Sequence, residues 1–239
     1  DVWFSEKSLY ENDEINSTIR QLDELGYTYT KEGATWFACT KLGSEKDEVL
    51  IRNNNLPTYF AADIAYHRNK FIARKFDKVI NLLGADHHGH VARMKTAVKA
   101  LGINPNNLEI VLFQLVHLFK NGEKVRMSKR TGRAISLSDL LEEVGSDAAR
   151  FFFNMKASGS HLDFDLDLAI KQSNDNPVYY VQYAHARICS ILNILKENNI
   201  HFPNILEVNL SLLNCEEEIS LIKKLAEYPE EIRISAQTL

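Results

Sequence analysis

Three stretches carry side chains whose types and spacing could do chemistry. Residues 120–133, KNGEKVRMSKRTGR, hold six cations, Lys120, Lys124, Arg126, Lys129, Arg130 and Arg133, opposed within the stretch only by Glu123. Two glycines and two small hydroxyl residues mark it as a loop rather than a packed element. Clustered cations on a mobile loop suit a phosphate chain whose charge rearranges during reaction, and the same composition also suits a solvated basic surface. The second stretch, GADHHGH at 84–90, sets Asp86, His87, His88 and His90 in one turn. Four near-adjacent residues cannot easily surround a zinc ion, and no distant His/Cys pair completes the spacing, so no metal site is expected. The third is Asp63, just after the short apolar run 58–61. An acid at a strand end stands where open α/β sheets bind ligands, and an acid at a helix start is a common cap. On spacing alone the cap is the simpler role, and one carboxylate can serve both.

The elements that must position these groups are legible in outline. Residues 16–25 read as a short amphipathic helix stopped by Gly26, and 34–40 and 48–52 alternate as strands. The spacing then predicts a strand at 58–61, a helix to about 74 that Asp63 could cap, a strand at 79–83 (VINLL), a helix at 91–101 closed by Gly102 and Pro105, and a strand at 109–113. Strands apolar throughout and separated by helices argue for a parallel α/β sheet. From Ser136 the pattern reads as helical. Ser138 and Ser146 are candidate caps, and Asp175-Asn176-Pro177 announces a long helix with proline at its first position. Val178, Val181, Ala184, Ile188, Ile191, Leu192 and Leu195 would form its apolar face. Tyr179, Tyr180, Tyr183, His185 and Arg187 share this helix. They suit core packing best, and stacking on RNA bases is the alternative. One more helix is expected in 215–239.

Arg126-Met127-Ser128-Lys129-Arg130 resembles the KMSKS signature of class I aminoacyl-tRNA synthetases, in the KMSKR form of bacterial-type arginyl enzymes. TYFAADIAYHRNKF (58–71), GADHHGHVARMKTAVKALG (84–102), SLSDLLEEVGSDAARFFF (136–153), SHLDFDLDLA (160–169) and SNDNPVYYVQYAHARICSIL (173–192) resemble stretches of the arginyl-tRNA synthetase family, in family order. The resemblance covers nearly the whole chain and is weakest after about residue 200. It implies a Rossmann-type catalytic domain, here its C-terminal part over 1–172, and the start of an all-helical anticodon-binding domain over 173–239. It implies ATP as substrate, with Mg2+ accompanying it, and L-arginine and tRNA(Arg) as the other partners. Lys129 matches the signature lysine that stabilises the transition-state phosphates. Arg126 stands where the family has its first lysine, a rigid fork in place of a point charge. Met127 and Ser128 match the part that lies against the nucleotide. Gly84, Asp86 and His90 match a G-x-D-x-x-x-H turn, where the glycine admits the nucleotide and the acid binds ribose hydroxyls. Tyr59 and Asp63 match the tyrosine and acid of the arginine pocket, and a carboxylate suits a guanidinium through two parallel hydrogen bonds. His87-His88-Gly89-His90 also spells H-x-G-H, the other class I signature. That motif follows the first strand, far upstream of the KMSKS-like loop, so it is expected before residue 1.

Composition sets limits of its own. The chain has 239 residues, is 45% hydrophobic and 25% charged, and carries a net charge of −4, so a polyanion must be met by a local basic patch rather than by bulk charge. No apolar run is long enough to span a bilayer, and the acidic N-terminus does not read as a signal peptide. Cys39, Cys189 and Cys215 form no CxxC pair and read as reduced thiols of a cytoplasmic protein. The residues 1–239 by themselves are expected to lack activity, and an incomplete helical bundle could favour self-association. A stand-alone nucleotidyltransferase using HHGH and MSKR, or a non-catalytic RNA-binding module, are the competing readings.

Overall fold

The computed structural model describes residues 1–125 and 136–238. The chain forms two units, Asp1–Tyr180 and Val181–Leu239.

The first unit opens with α1 (Lys7–Glu11) and α2 (Glu14–Glu24). Ile15, Ile19 and Leu22, at helical steps, turn the apolar face of α2 into the core. An antiparallel sheet follows in the order β1 (Thr28–Lys31), β2 (Ala34–Phe37), β3 (Glu48–Ile51). The expected strand at 58–61 is instead the start of α3 (Tyr59–Arg68). Thr58, in extended conformation, caps it by accepting the Ala61 N–H at 3.3 Å. Its hydroxyl also donates to the Val49 carbonyl at 2.8 Å, which ties the helix start to β3. Asp63 therefore lies inside α3 and is not its cap. A π-helical turn, Asn69–Ala73, continues the helix.

Next comes β4 (Val79–Gly84), a 3-10 turn at Ala85–His87, α4 (His88–Ala100) and β5 (Leu108–Phe113). The two strands pair in parallel from Val79↔Leu108 to Gly84↔Phe113. Phe37, Leu50, Ile64, Met94, Val98 and Leu108 lie in the core that joins these elements. The expectation of a strand buried throughout fails at β4, where Ile80 and Leu82 are exposed and Val79 is buried. The sheets are small and mixed, and among the described residues the parallel pairs are β4–β5 and the one described next.

A second core in the same unit uses β6 (Val116–Lys120), β7 (Glu123–Lys124), α5 (Leu137–Val144), α6 (Ser146–Asn154), β8 (Leu162–Asp165) and α7 (Leu166–Ile170). β6 pairs antiparallel with β7 and in parallel with β8. Residues 120–124 are thus a hairpin rather than the start of an open loop. Its turn is Asn121-Gly122, both at positive φ (53° and 74°), a conformation these two residues adopt at low cost. Lys120 is ion-paired with Glu143 of α5. β8 interrupts the stretch expected to be helical. Its alternation buries Leu162 and Phe164 beside Leu118, Leu140 and Phe152. Ser136, not Ser138, caps α5 through a capping box with Asp139. Gly145, at φ 79°, ends α5 and precedes α6, so Ser146 is the first residue of α6 rather than its cap.

Buried Asn176 closes this core. Its amide donates to the Ala169 and Lys171 carbonyls at 3.1 and 2.9 Å and accepts the Val178 N–H at 3.1 Å. α8 (Pro177–Glu197) begins there as expected. Of its expected apolar face, Val178 is buried, whereas Val181, Ile188, Ile191 and Leu192 are exposed, as are Tyr180 and Tyr183. Beyond residue 180 the second unit comprises the rest of α8 and the helix α9 (Glu216–Thr238). Among the described residues no helix is long and apolar enough to cross a membrane.

Candidate functional site

α3 has two faces. Phe60, Ala61, Ile64 and Ala65 go into the core. Tyr59, Asp63, Tyr66 and Lys70, at steps of four, three and four, line a pocket of about 660 Å³. The far wall comes from β4, through Ile80, Asn81 and Leu82, from His87 at the end of the 3-10 turn, and from α4, through His90 and Arg93. Tyr59 stands at this pocket with 77% of its surface exposed.

Two histidines hold Asp63. The His90 ring, with 11% of its side chain exposed, places Nε2 3.1 Å from Asp63 Oδ2. His67, one turn along α3 and buried, donates its Nδ1–H to the Asp63 carbonyl at 2.7 Å. A carbonyl only accepts, so the remaining nitrogen of His67, Nε2, accepts from Asn81 Nδ2 at 2.7 Å. Asn81 Oδ1 in turn accepts from Lys70 Nζ at 3.2 Å. This chain of bonds fixes the Asn81 amide, whose orientation would otherwise be ambiguous. Burial pushes the His67 imidazole below its ordinary range, with the bond to the Asp63 carbonyl and the Asp63 charge opposing it and the Lys70 charge adding to it. Burial also lowers the Lys70 ammonium, Arg74 contributes in the same sense, and Asp63 opposes both. Lys70 Nζ further lies 4.1 Å from the centre of the Tyr66 ring.

Of the residues expected to bind nucleotide, His90 is brought to Asp63. Asp86 is apart from that pair, with 86% of its side chain exposed and Oδ1 3.9 Å from His87 Nε2. It lines a smaller pocket of about 420 Å³ that shares His87, His90 and Arg93 with the larger one. Gly84 adjoins Asp86, for a Cβ there would meet Asp86 Oδ1 at 2.6 Å, so a side chain at 84 would force that carboxylate to move. Among the described residues no group of three or more His, Cys, Asp or Glu gathers in a metal-binding arrangement. Arg126, Met127, Ser128 and Lys129 lie outside the described residues. Reading along the sequence missed His67, Asn81, Lys70 and Arg93. His67 and Arg93 had local signals, their i+4 and i+3 spacings from Asp63 and His90.

Residues 2–163 match the model of the catalytic domain of class I (R) tRNA synthetases, and 181–239 match the DALR anticodon-binding domain. The chain belongs to the class I (R) tRNA synthetases. Arginine–tRNA ligases of Acetivibrio thermocellus and Ruminiclostridium cellulolyticum are 70% and 64% identical to it over 239 residues, covering 100% of the chain. The chain spans 42% of the length of each of these relatives. A crystal structure from Campylobacter jejuni described as an arginyl tRNA synthetase superposes with a TM-score of 0.75 at 45% identity, over 82% of this chain and 42% of that one. The arginyl-tRNA synthetase of Thermus thermophilus shares the fold at a TM-score of 0.75 and 19% identity, over 95% of this chain and 46% of that one. The class I synthetase fold, with a helical C-terminal part, is thereby shared.

Proposed function

We propose that the chain supplies the arginine-holding part of an arginine–tRNA ligase, which activates L-arginine with ATP and passes it to tRNA(Arg). The observation that carries this reading is the Asp63 carboxylate, held through Oδ2 by His90 at the mouth of a pocket it shares with Tyr59. His90 approaches Oδ2 as an ion-pair contact, and among the described residues no side-chain hydrogen bond engages the carboxylate, so Oδ1 is available to a guanidinium. In this reaction the arginine carboxylate bonds to the α-phosphorus of ATP and pyrophosphate leaves. A ribose hydroxyl of the tRNA end then attacks the arginyl carbonyl and AMP leaves. Gly84 and Asp86, next to the pocket, are assigned to the nucleotide. Lys129 and Arg126 are assigned to the phosphates, with Met127 and Ser128 against the nucleotide, and Mg2+ travels with ATP as part of the substrate. β4, α4 and β5 are read as part of the parallel Rossmann sheet, and 173–239 as the start of the tRNA-binding bundle. The protein is assigned to the cytoplasm.

The test is Asp63→Asn in the full-length ligase. The variant keeps the shape and can still accept from His90, but it removes the counter-charge of the guanidinium. Breaking such a pair on one side in a desolvated site costs several kcal/mol, and a half-exposed carboxylate belongs at the lower end, so kcat/KM for arginine should fall by about 100-fold. The KM for ATP should move by less than about threefold and stability by less than about 1 kcal/mol. Arginine kinetics within about threefold of the parent would remove the main physical support for an arginine pocket at Asp63.

A further inference from the structure

Asp63 is not held by His90 alone. Arg93, one turn along α4 from His90, places Nε 2.8 Å from His90 Nδ1. A guanidinium has no lone pair to offer and does not give up its proton in a protein, so Nε–H is the donor and Nδ1 the acceptor. The ring proton must then sit on the other nitrogen, Nε2, the atom 3.1 Å from Asp63 Oδ2. Arg93 is itself held on two sides. Its Nη1 lies 3.7 Å from Glu48 Oε2 of β3, and its guanidinium carbon lies 5.2 Å from the centre of the Phe60 ring. The same Phe60 ring meets the edge of His90 at 6.0 Å and 80°, which fixes the plane of the imidazole.

We propose that Arg93, anchored by Glu48, is a positioning residue that dictates the tautomer of His90 and thereby sets the Asp63 carboxylate for the guanidinium of the amino-acid substrate. Without Arg93 the ring can carry its proton on Nδ1 and present a bare lone pair to Asp63. Two acceptors would then face each other, and the carboxylate would swing from its place. With Arg93 present only one arrangement satisfies all three groups. The oxygen left for substrate therefore stands at a position defined from β3 through α4 to α3. Arg93 acts through His90, and its own charge disfavours direct contact with the substrate guanidinium. The proposal rests on the arginine-pocket reading for its consequence in catalysis, but the tautomer itself is a property of the protein alone.

The experiment uses the full-length ligase labelled with 15N in histidine, with His90 assigned by comparison with His90→Gln. In the parent, His90 should show a protonated Nε2 and an unprotonated Nδ1. Arg93→Met keeps the hydrophobic stem over Phe60 but has no donor. It should shift His90 toward a tautomer mixture and raise the KM for arginine about tenfold, the scale of one hydrogen bond to a charged group, with a smaller change in the KM for ATP. Arg93→Lys, which restores a donor, should recover at least part of both effects. An unchanged His90 tautomer in Arg93→Met, or arginine and ATP constants that rise together without rescue by lysine, would overturn the proposal and leave Arg93 as packing. Failure of the pocket reading is separately visible. There, Asp63→Asn would leave arginine kinetics alone while the 15N spectra still show Arg93 setting the tautomer.

Discussion

His67 makes stability depend on pH in a direction the structure sets. The fold holds this imidazole neutral, with Nδ1 donating and Nε2 accepting, and burial lowers its proton affinity below the ordinary 6.5. Above about pH 6.5 neither state of the chain protonates this ring, so its contribution is fully present there. As pH falls below that value the unfolded chain binds a proton that the folded one refuses, and stability drops. His67→Gln has no proton to gain. It should be less stable than the parent near pH 7.5, yet lose less on going to about pH 5.5. Thermal unfolding of the pair at both values checks this, and parallel losses would mean that His67 titrates as an ordinary surface histidine. The residues of the pocket were partly legible. Tyr59 and Asp63 were singled out by the family resemblance, whereas the spacing placed Tyr59 in a strand and Asp63 at a helix start rather than together on α3. His90 reaches Asp63 from a separate helix, which no local pattern shows, whereas Arg93 follows His90 by three residues on α4.

At the scale of elements, the basic stretch divides in two. Lys120 and Lys124 belong to the β6–β7 hairpin, where Lys120 is already paired with Glu143. Lys129 lies beyond it, in residues bounded on the far side by the Ser136–Asp139 capping box of α5. A cation serving charge that develops only in the transition state should act on kcat more than on KM. Lys129→Ala in the full-length ligase should thus cost about 100-fold or more in arginine activation, and Lys124→Ala far less. Equal losses in pre-steady-state activation rates would reduce the whole stretch to a general basic patch. The long parallel pair β4–β5 and the start of α8 were readable because each carries a strong local signature: apolar runs of strand length, and Asn-Pro. The start of α3 was not. TYFAA is a short apolar run that periodicity cannot divide between strand and helix, and the decision fell to Thr58, whose hydroxyl serves both β3 and the helix. β8 was missed although Leu162, Phe164 and Leu166 alternate. The run is only four residues long, Leu162–Asp165, and a helix follows it directly.

For the molecule as a whole, the described site holds a pocket lined by an acid and one adjoining smaller pocket, and the chain spans 42% of the length of its curated relatives. Residues 1–239 alone should show no arginine-dependent exchange of pyrophosphate into ATP, with or without tRNA. Measurable exchange would favour a self-sufficient nucleotidyltransferase built on HHGH and MSKR. Asn176 has one more consequence. Its single amide clips Ala169 and Lys171 to the first turn of α8, so the phase of that helix is set at residue 176 and not by the segment leading to it. An insertion of one residue in 172–175 can be absorbed as slack before the clip. The same insertion between Asn176 and Val178 would rotate Val178 by about 100° about the helix axis and turn it out of the core it joins. Drift in the length of this chain should therefore collect ahead of Asn176, and the helix behind it should keep count.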